Sequence, residues 1–220
     1  MNKYFLALVV SITTISSLVY APVSLAKPGD WLVRLRALHV SPNDSSGSVS
    51  TLSGSGVSVG TDTTAELDFT YYVTPNLGIE GILGTSQHDL YGEGSIAGLG
   101  KIAEVRTLPP TVTLQYHFKP NDTVRPYAGI GVNYTKFYDQ KSSKSLDNAL
   151  GPTSVSLESS WGLSGQVGFD IDFDQDWFVN FDAKYISMST TATLNSGGVI
   201  RKVDVNINPW FFGVGIGKRF

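Results

Sequence analysis

The feature that most constrains this chain is a strict alternation of apolar and polar residues that recurs along most of its length. The clearest example is residues 63–73, where the apolar positions are Ala65, Leu67, Phe69, Tyr71 and Val73. A period of two places these side chains on one face of an extended segment, which predicts a β-strand with one apolar face. Seven further segments alternate in the same way, at residues 31–40, 77–88, 111–118, 127–138, 161–173, 177–185 and 203–220.

The links between the eight segments alternate in length. Short links occupy residues 74–76, 119–123 and 174–176, whereas long links rich in Ser and Gly occupy residues 41–62, 89–103, 139–160 and 189–202. Short turns at one end and long loops at the other are typical of outer-membrane barrels, whose strands need about 9–11 residues to cross the bilayer. We therefore predict an all-β fold, an eight-stranded antiparallel transmembrane up-and-down β-barrel with short periplasmic turns and long extracellular loops.

A soluble lipocalin-like barrel or a sandwich is the alternative, because it would use the same alternation with its apolar faces turned inward. Aromatic residues near both ends of the apolar faces favour the membrane barrel, since such barrels carry aromatic girdles at both membrane interfaces. The predicted girdle consists of Tyr71, Phe118 and Trp177 on the short-turn side and of Tyr134, Tyr138 and Tyr185 on the loop side.

The opposite faces of the strands carry charges of both signs, as expected for a barrel lumen. The predicted lumen charges are Arg34, Arg36, Glu66, Asp68, Glu80, Asp170, Asp172, Asp182 and Lys184. Eight strands enclose an interior that side chains nearly fill, which disfavours a wide aqueous pore. We expect the charges to form a network that plugs the periplasmic half of the barrel.

The N-terminal residues indicate export. Residues 1–26 combine a basic start, a largely apolar stretch and a small-x-Ala end, which is typical of a cleaved secretory signal peptide. A permanent membrane helix is the alternative, and the Ser and Thr residues within the apolar stretch disfavour it. We predict that residues 27–220 form a single barrel domain, monomeric and in contact with the lipids of the bacterial outer membrane.

The composition argues against several function classes. The chain has 16 Lys and Arg against 19 Asp and Glu, a net charge of −3, which argues against nucleic-acid binding. It has 3 His and no Cys, and we find no motif for a catalytic nucleophile or a cofactor. The acidic residues 170–176 lack the Gly and Glu that an EF-hand calcium loop requires. We predict a protein that is not an enzyme and that uses no cofactor or metal.

Several motifs resemble the OmpW family of small outer-membrane proteins. They are LGIEG (77–81), LPPTV (108–112), FKPNDTVRPYAGIGVNYTKFYD (118–139), SWGLSGQVGFDIDF (160–173), DWFVNFDAKYI (176–186) and the terminal GKRF. The resemblance implies an eight-stranded barrel with an apolar pocket in its lumen and a role in the passage of small hydrophobic molecules across the outer membrane. By the same resemblance, Ile82 and Trp161 are expected to line a narrow apolar gate.

The end of the chain also carries a resemblance. A terminal aromatic residue on an amphipathic strand, here Phe220, resembles the signal that the outer-membrane assembly machinery reads. Family members usually have Tyr where this chain has Lys218, whose amine is expected to extend to the lipid headgroups.

The segment Leu108-Pro109-Pro110 adds a hypothesis about the route of a solute. Two consecutive prolines remove two backbone donors from a strand that should be paired on both sides. We expect either a bulge that only bends this strand, or a lateral opening through which a hydrophobic solute leaves the lumen for the membrane. The alternative function is that of a surface adhesin or structural protein acting through its long loops.

Overall fold

The computed structural model describes residues 27–220, and the predicted signal peptide, residues 1–26, lies outside the described residues. The strands are β1 (Trp31–Ser41), β2 (Ser45–Ser46), β3 (Ser55–Val59), β4 (Asp62–Tyr72), β5 (Leu77–Gly84), β6 (Ser86–Gly94), β7 (Lys101–Leu108), β8 (Thr111–His117), β9 (Val124–Ser142), β10 (Thr153–Leu157), β11 (Ser160–Asp172), β12 (Trp177–Ile186), β13 (Ser189–Ser196), β14 (Val199–Asn206) and β15 (Trp210–Arg219). A helix, α1, spans Lys144–Leu150, and a 3₁₀ turn spans Ala97–Leu99. No helix in this part of the chain is long and apolar enough to cross a membrane.

Eight of the strands close into a barrel. Their order around the ring is β1, β4, β5, β8, β9, β11, β12 and β15, each antiparallel to both neighbours, and β15 returns to β1. The order around the ring follows the order in the chain, which confirms the predicted eight-stranded up-and-down barrel. Closure removes the free strand edges at which an open sheet would expose unpaired backbone groups.

The alternation in the sequence separates an apolar outer face from an inner face of different composition. On β15, Val214 and Ile216 point outward and are exposed, whereas Gly215 between them points into the lumen opposite Arg36. A Cβ atom at Gly215 would lie 2.9 Å from Cγ of Arg36, which is too close for an unshifted structure. Glycine at this inner position therefore makes room for a large charged side chain on the neighbouring strand.

Beyond the ring, the four long links are more ordered than the sequence pattern indicates. β9 continues past the ring and pairs with β7, β7 pairs with β6, and β6 pairs with β3. A separate four-stranded sheet has the order β10-β13-β14-β2. The prediction that these links are loops is therefore corrected, because short apolar alternations such as Ala192 and Leu194 on β13 bury one face of each added strand.

The interior of the barrel has two halves of opposite character. Near the short turns, the inward side chains are mostly charged or polar and almost all of them are buried. Near the long links, one apolar cluster joins Val40 of β1 and Phe211 of β15 to Val203 and Val205 of the separate sheet. A polar layer thus forms the floor of an apolar chamber.

Candidate functional site

The polar half of the lumen is centred on Arg36, whose side chain is fully buried. Its Nη1 lies 2.8 Å from Oε1 of Glu66 and 3.3 Å from Oδ2 of Asp68, and its Nη2 lies 3.3 Å from Oε1 of Glu80. Its Nε donates a hydrogen bond to Oδ1 of Asn180 at 2.7 Å. One guanidinium therefore holds three carboxylates from β4 and β5 together, in a geometry in which charge-assisted hydrogen bonds are strong.

Arg34 binds a second set of acceptors nearer the short turns. Its Nη1 lies 3.0 Å from Oδ1 of Asp68, and its Nη2 lies 3.0 Å from Oδ2 of Asp170. The Nη1 group also donates a hydrogen bond to Oγ1 of Thr70 at 2.8 Å. Because Asp68 lies on β4 and Asp170 on β11, this side chain spans the lumen between strands that are not neighbours in the ring.

The structure places all nine predicted lumen charges inside the barrel. Nζ of Lys184 lies 3.1 Å from Oε2 of Glu66, whose other oxygen faces Arg36. Asp182 is buried beside Gln166, whose Nε2 donates a hydrogen bond to Oδ2 of Asp182 at 2.9 Å. The groups together form a plug of buried ion pairs and hydrogen bonds across the half of the lumen near the short turns.

Two further lumen residues were missed by the sequence analysis, Arg125 and Tyr127. Arg125 is buried and forms an ion pair with Asp172, while the hydroxyl of Tyr127 donates a hydrogen bond to Oδ2 of Asp182 at 2.8 Å. Both residues alternate in phase with inward-facing Asn133 on β9, so the period of two could have placed them. Arg125 and Tyr127 flank Pro126, and this short segment was therefore not assigned to the charged face of the strand.

Above the plug, the lumen holds an apolar chamber of about 40 Å³ whose lining includes Val105, Phe137 and Met188. A smaller cavity of about 10 Å³ separates the chamber from the plug and is lined in part by Glu66 and Phe211. A single water needs about 10–15 Å³ of such space, so the chamber is narrow in this conformation. Passage of a solute would require the side chains that line the chamber to move.

One polar pair lies on the wall of this chamber. Nδ1 of His88 faces the carbonyl oxygen of Gly60 at 2.7 Å and must therefore carry the hydrogen, which leaves Nε2 to accept from Oγ of Ser86 at 2.9 Å. Because Ser86 donates its hydrogen to His88, Oγ1 of Thr107 is the donor to Oγ of Ser86, at 2.7 Å. Among residues 27–220, no group of three His, Asp or Glu side chains could hold a metal ion.

Ile82 and Trp161, which were expected at one lumenal gate, lie on opposite faces of the barrel wall. Ile82 points inward from β5 and is 4% exposed, whereas Trp161 points outward from β11 and is 75% exposed. The ring of Trp161 packs against that of Tyr134, with their centroids 4.9 Å apart. The expectation that Trp161 lines the lumen is wrong, because this residue alternates in phase with the outward-facing Leu163.

The barrel wall is interrupted between β7 and β8, at Pro109 and Pro110. The pairing of β7 with β6 ends at Thr107, and the pairing of β8 with β5 begins only at Thr111. The backbone of the Leu108-Pro109-Pro110 segment therefore forms no ladder with β5 or β6. We call this segment the wall break.

On its other side, the wall break is held to β9. The side-chain amide of Asn133 donates hydrogen bonds to the carbonyl oxygens of Pro109 and Pro110, both at 3.2 Å. The backbone N–H of Tyr134 donates to the carbonyl oxygen of Pro110 at 3.1 Å. These bonds satisfy carbonyl groups that would be costly to leave unpaired in a membrane, so the interruption faces β5 and β6 alone.

An apolar groove of about 460 Å³ lies on the outer side of the wall break, and its lining includes Pro110, Tyr134 and Trp161. Ile82 also lines this groove, and it lines the small cavity above the plug as well. Pro109 lines both that small cavity and the chamber. The side chain of Ile82 and the two prolines are therefore what separates the lumen from the outer groove.

The predicted girdle residues all lie on the outer face of the barrel. Tyr71, Phe118, Trp177 and the terminal Phe220 are exposed, and Tyr134, Tyr138 and Tyr185 are half-buried. Nζ of Lys218 lies 5.4 Å from the ring centroid of Trp177 and 4.9 Å from that of Phe220. A cation over aromatic faces is an attractive contact, which accommodates the lysine at this outer position.

The chain matches the OmpW family over residues 27–220. It is similar to outer membrane protein W of Vibrio cholerae, with 37% identity over 212 residues that cover 95% of this chain and 97% of that protein. The fold is similar to the crystal structure of the outer membrane protein OprG from Pseudomonas aeruginosa, with 32% identity and a TM-score of 0.82 over 88% of this chain and 97% of that one.

A further similarity concerns a protein whose structure was determined in a bilayer. The solid-state NMR structure of outer membrane protein AlkL in DMPC lipid bilayers has 25% identity and a TM-score of 0.67, and the match covers 100% of this chain and 97% of that one. The similarity therefore extends over the barrel and over the ordered strands beyond its ring. An exposed apolar band between two sets of aromatic residues agrees with a location in lipid.

Proposed function

The chain belongs to the OmpW family of bacterial outer-membrane barrels, and from this premise we propose that it passes small hydrophobic molecules from the cell surface into the outer membrane. A solute enters the apolar chamber from the side of the long links. The plug stops it from continuing along the barrel axis. It then leaves sideways through the wall break into the surrounding lipid.

The observation that carries this proposal is that the cavities follow one another along a single route. The chamber shares Pro109 and Phe211 with the small cavity above the plug. That small cavity shares Ile82 with the groove on the lipid side. The wall break lies where these spaces meet, and it is the place where the ladder between neighbouring ring strands is missing.

The chemistry of the route favours apolar solutes. The walls of the chamber are apolar apart from Thr190 and the small polar group around Ser86 and His88. A solute with several hydrogen-bonding groups would lose its bonds to water there without replacement, at a cost of about 1–3 kcal/mol for each group. The charged groups of the plug bind mainly one another, and the oxygen atoms that lack a partner, such as Oε2 of Glu80, are buried within it.

The route is narrow in the described conformation, because its middle consists of cavities of about 40 and 10 Å³. We propose that Ile82 acts as the gate and that its movement joins the chamber to the outer groove. A wall segment that lacks ladder bonds on one side needs less free energy to open locally than a fully paired strand. The proline segment therefore acts as the lateral exit rather than only as a bend.

The substitution Ile82→Asp tests the gate. A carboxylate at the narrowest point should lower the entry rate of a small apolar fluorophore, such as N-phenylnaphthylamine, about tenfold. The rate is measured in cells that express the chain as their single protein of this family, from the rise in fluorescence as the dye reaches hydrocarbon. Ile82→Leu is the matched control and should retain the wild-type rate.

Uptake of a small polar dye should be slow and equal in all three proteins. Wild-type apolar uptake by a folded Ile82→Asp variant would contradict the gate. Absence of apolar uptake even in the wild type would contradict the proposed function as a whole and favour a surface role of the extracellular strands and loops.

A further inference from the structure

A second cavity lies outside the barrel ring, among the long links. It measures about 300 Å³, a size in the lower range of small-molecule sites. Its wall is mostly apolar and includes Leu52, Leu99, Leu146 and Leu194. These residues come from separate parts of the chain, near β3, the 3₁₀ turn, α1 and β13. The cavity is therefore enclosed by segments that meet only in the folded protein.

Arg201 is the charged residue in the lining of this cavity. It lies on β14 opposite Leu194 of β13, and it alternates in phase with the buried Val203 and Val205. The period of two thus points a cation into the apolar face of the sheet. A valine or leucine would be the expected residue at such a position if packing alone mattered.

The guanidinium of Arg201 has no partner among residues 27–220. The residue is half-buried; its Nε and Nη1 atoms are buried and donate no hydrogen bond, and it forms no ion pair with these residues. Buried charged donors are normally paired, because a lone charge is costly to remove from water. The lumen arginines illustrate the usual situation, since Arg34 and Arg36 each bind several carboxylates. An unpaired guanidinium in the wall of an apolar cavity is instead suited to a ligand.

We infer that this cavity binds an amphipathic carboxylate, with its head on Arg201 and its hydrocarbon tail among the leucines. A guanidinium offers parallel N–H donors that match the two oxygens of a carboxylate. The volume of about 300 Å³ lies at the lower end of the range for small-molecule sites, which suits a short aliphatic ligand. An aliphatic acid of about eight carbons meets both requirements, whereas a small polar anion would leave the apolar wall uncovered.

The site does not depend on the proposed passage of solutes through the barrel. It shares Val57 with the apolar chamber but none of the residues at the wall break. Binding at Arg201 can therefore be lost while apolar uptake through Ile82 continues, and the reverse also holds. Ligand binding at Arg201 and solute passage through the wall break can therefore be tested independently.

Titrations with octanoate, octanol and octyl phosphate test the inference. The full chain is held in lipid nanodiscs, and binding to empty nanodiscs is subtracted. Octanoate should bind the wild type, and Arg201→Met should weaken it about tenfold or more, as expected for loss of a charge-assisted pair. Octanol should bind weakly and equally to both proteins. Lys202→Met is the matched control, because it removes the same charge from the exposed opposite face of β14.

A second variant keeps the charge and blocks the space. Ala149→Trp places a large ring at the rim of the cavity, next to Leu150, and should also abolish octanoate binding. If Arg201→Met does not fold, this variant decides the question. Octanoate binding that survives either folded variant would overturn the site, as would equal weakening by Lys202→Met. Tighter binding of octyl phosphate than of octanoate would overturn the assignment of a carboxylate.

Discussion

Replacing Arg36 by Met should destabilise the barrel strongly, because it removes the cation that holds the plug together. The Arg36 guanidinium is fully buried and lies within 3.3 Å of carboxylate oxygens of Glu66, Asp68 and Glu80. Methionine fills a similar volume without a charge. The change therefore removes the ion pairs while it leaves little new cavity.

The size of the effect follows from what each carboxylate retains. Glu66 keeps Lys184 at 3.1 Å, and Asp68 keeps Arg34 at 3.0 Å. Among the described residues, Glu80 keeps only one cation, Arg34 at 3.8 Å, and a long hydrogen bond of 3.4 Å from Nε2 of Gln166. Removing one member of a buried ion pair costs about 3–5 kcal/mol when the remaining charge is left without compensation. We expect the free energy of unfolding to fall by an amount in this range, mainly because Glu80 is left without a close cation.

A double substitution separates this reason from a general loss of packing. In Arg36→Met/Glu80→Gln, the carboxylate that lost its partner is also removed. The free energy of unfolding should then recover by about 1–3 kcal/mol, which is the coupling expected of residues in one network. Lys184→Met should cost less than Arg36→Met, since its single carboxylate, Glu66, keeps Arg36 at 2.8 Å.

The assay is reversible urea unfolding in phospholipid vesicles, followed by the fluorescence of the four Trp residues of the chain. A loss below about 1 kcal/mol for Arg36→Met would refute the reasoning, because surface ion pairs have values of that size. Lack of any recovery in the double variant would show that Glu80 does not depend on Arg36.

Two further substitutions test the faces of the wall. Trp161→Ala should cost about 0.5–1.5 kcal/mol through the lost contact with Tyr134 in urea unfolding, and it should leave apolar uptake intact because Trp161 lines only the lipid-side groove, beyond the gate at Ile82. Loss of apolar uptake in a folded Trp161→Ala variant would instead indicate that Trp161 contributes to the gate. Gly215→Ala should cost about 1–3 kcal/mol, since its Cβ would lie 2.8 Å from Cα of Arg36. Gly81→Ala should be nearly neutral, because no atom lies within 4 Å of its new Cβ, and equal costs for both would contradict the inward packing of β15.

The ring and the lumen charges could be predicted from the sequence because a strand has a period of two. Once Glu66 and Asp68 were placed on the polar face of one strand, their side chains could only point inward in a membrane barrel. The partners of each charge could not be predicted in the same way. They depend on the register between strands, which places Arg36 opposite Glu66 and Arg34 opposite Asp68.

Trp161 shows that the alternation was a better guide than the resemblance. The segment that contains it has Leu163, Val167 and Phe169 in the same phase, all of which face outward. The period of two thus indicated the lipid face, while the comparison with family motifs indicated a lumenal gate. Side-chain direction follows from local geometry, whereas a role carried over by resemblance also needs the same direction in both proteins.

The strands beyond the ring and the cavity at Arg201 could not be predicted from the sequence. In the long links, apolar residues alternate over only a few positions among Ser, Thr and Gly, a pattern that also suits irregular loops. The alternation with Val203 and Val205 gives the direction of Arg201, but its position opposite Leu194 depends on the pairing of β13 with β14, which no local signal specifies.

The central claim is that solutes leave through the wall break, and a clamp across it tests that claim most directly. The registers on both sides of the break place Gly84 opposite Pro109, and a Cβ at Gly84 would meet no atom closer than 3.5 Å. The chain has no Cys of its own, so Gly84→Cys/Pro109→Cys can be joined by a short bifunctional thiol reagent. Leu67→Cys/Leu83→Cys, a directly paired position of the intact wall between β4 and β5, is the matched control.

Apolar uptake should fall at least about tenfold when the Gly84→Cys/Pro109→Cys protein is clamped, and it should return when a cleavable reagent is cut. The same treatment of the Leu67→Cys/Leu83→Cys control should change nothing. Full apolar uptake with the break clamped shut would contradict lateral exit at this place.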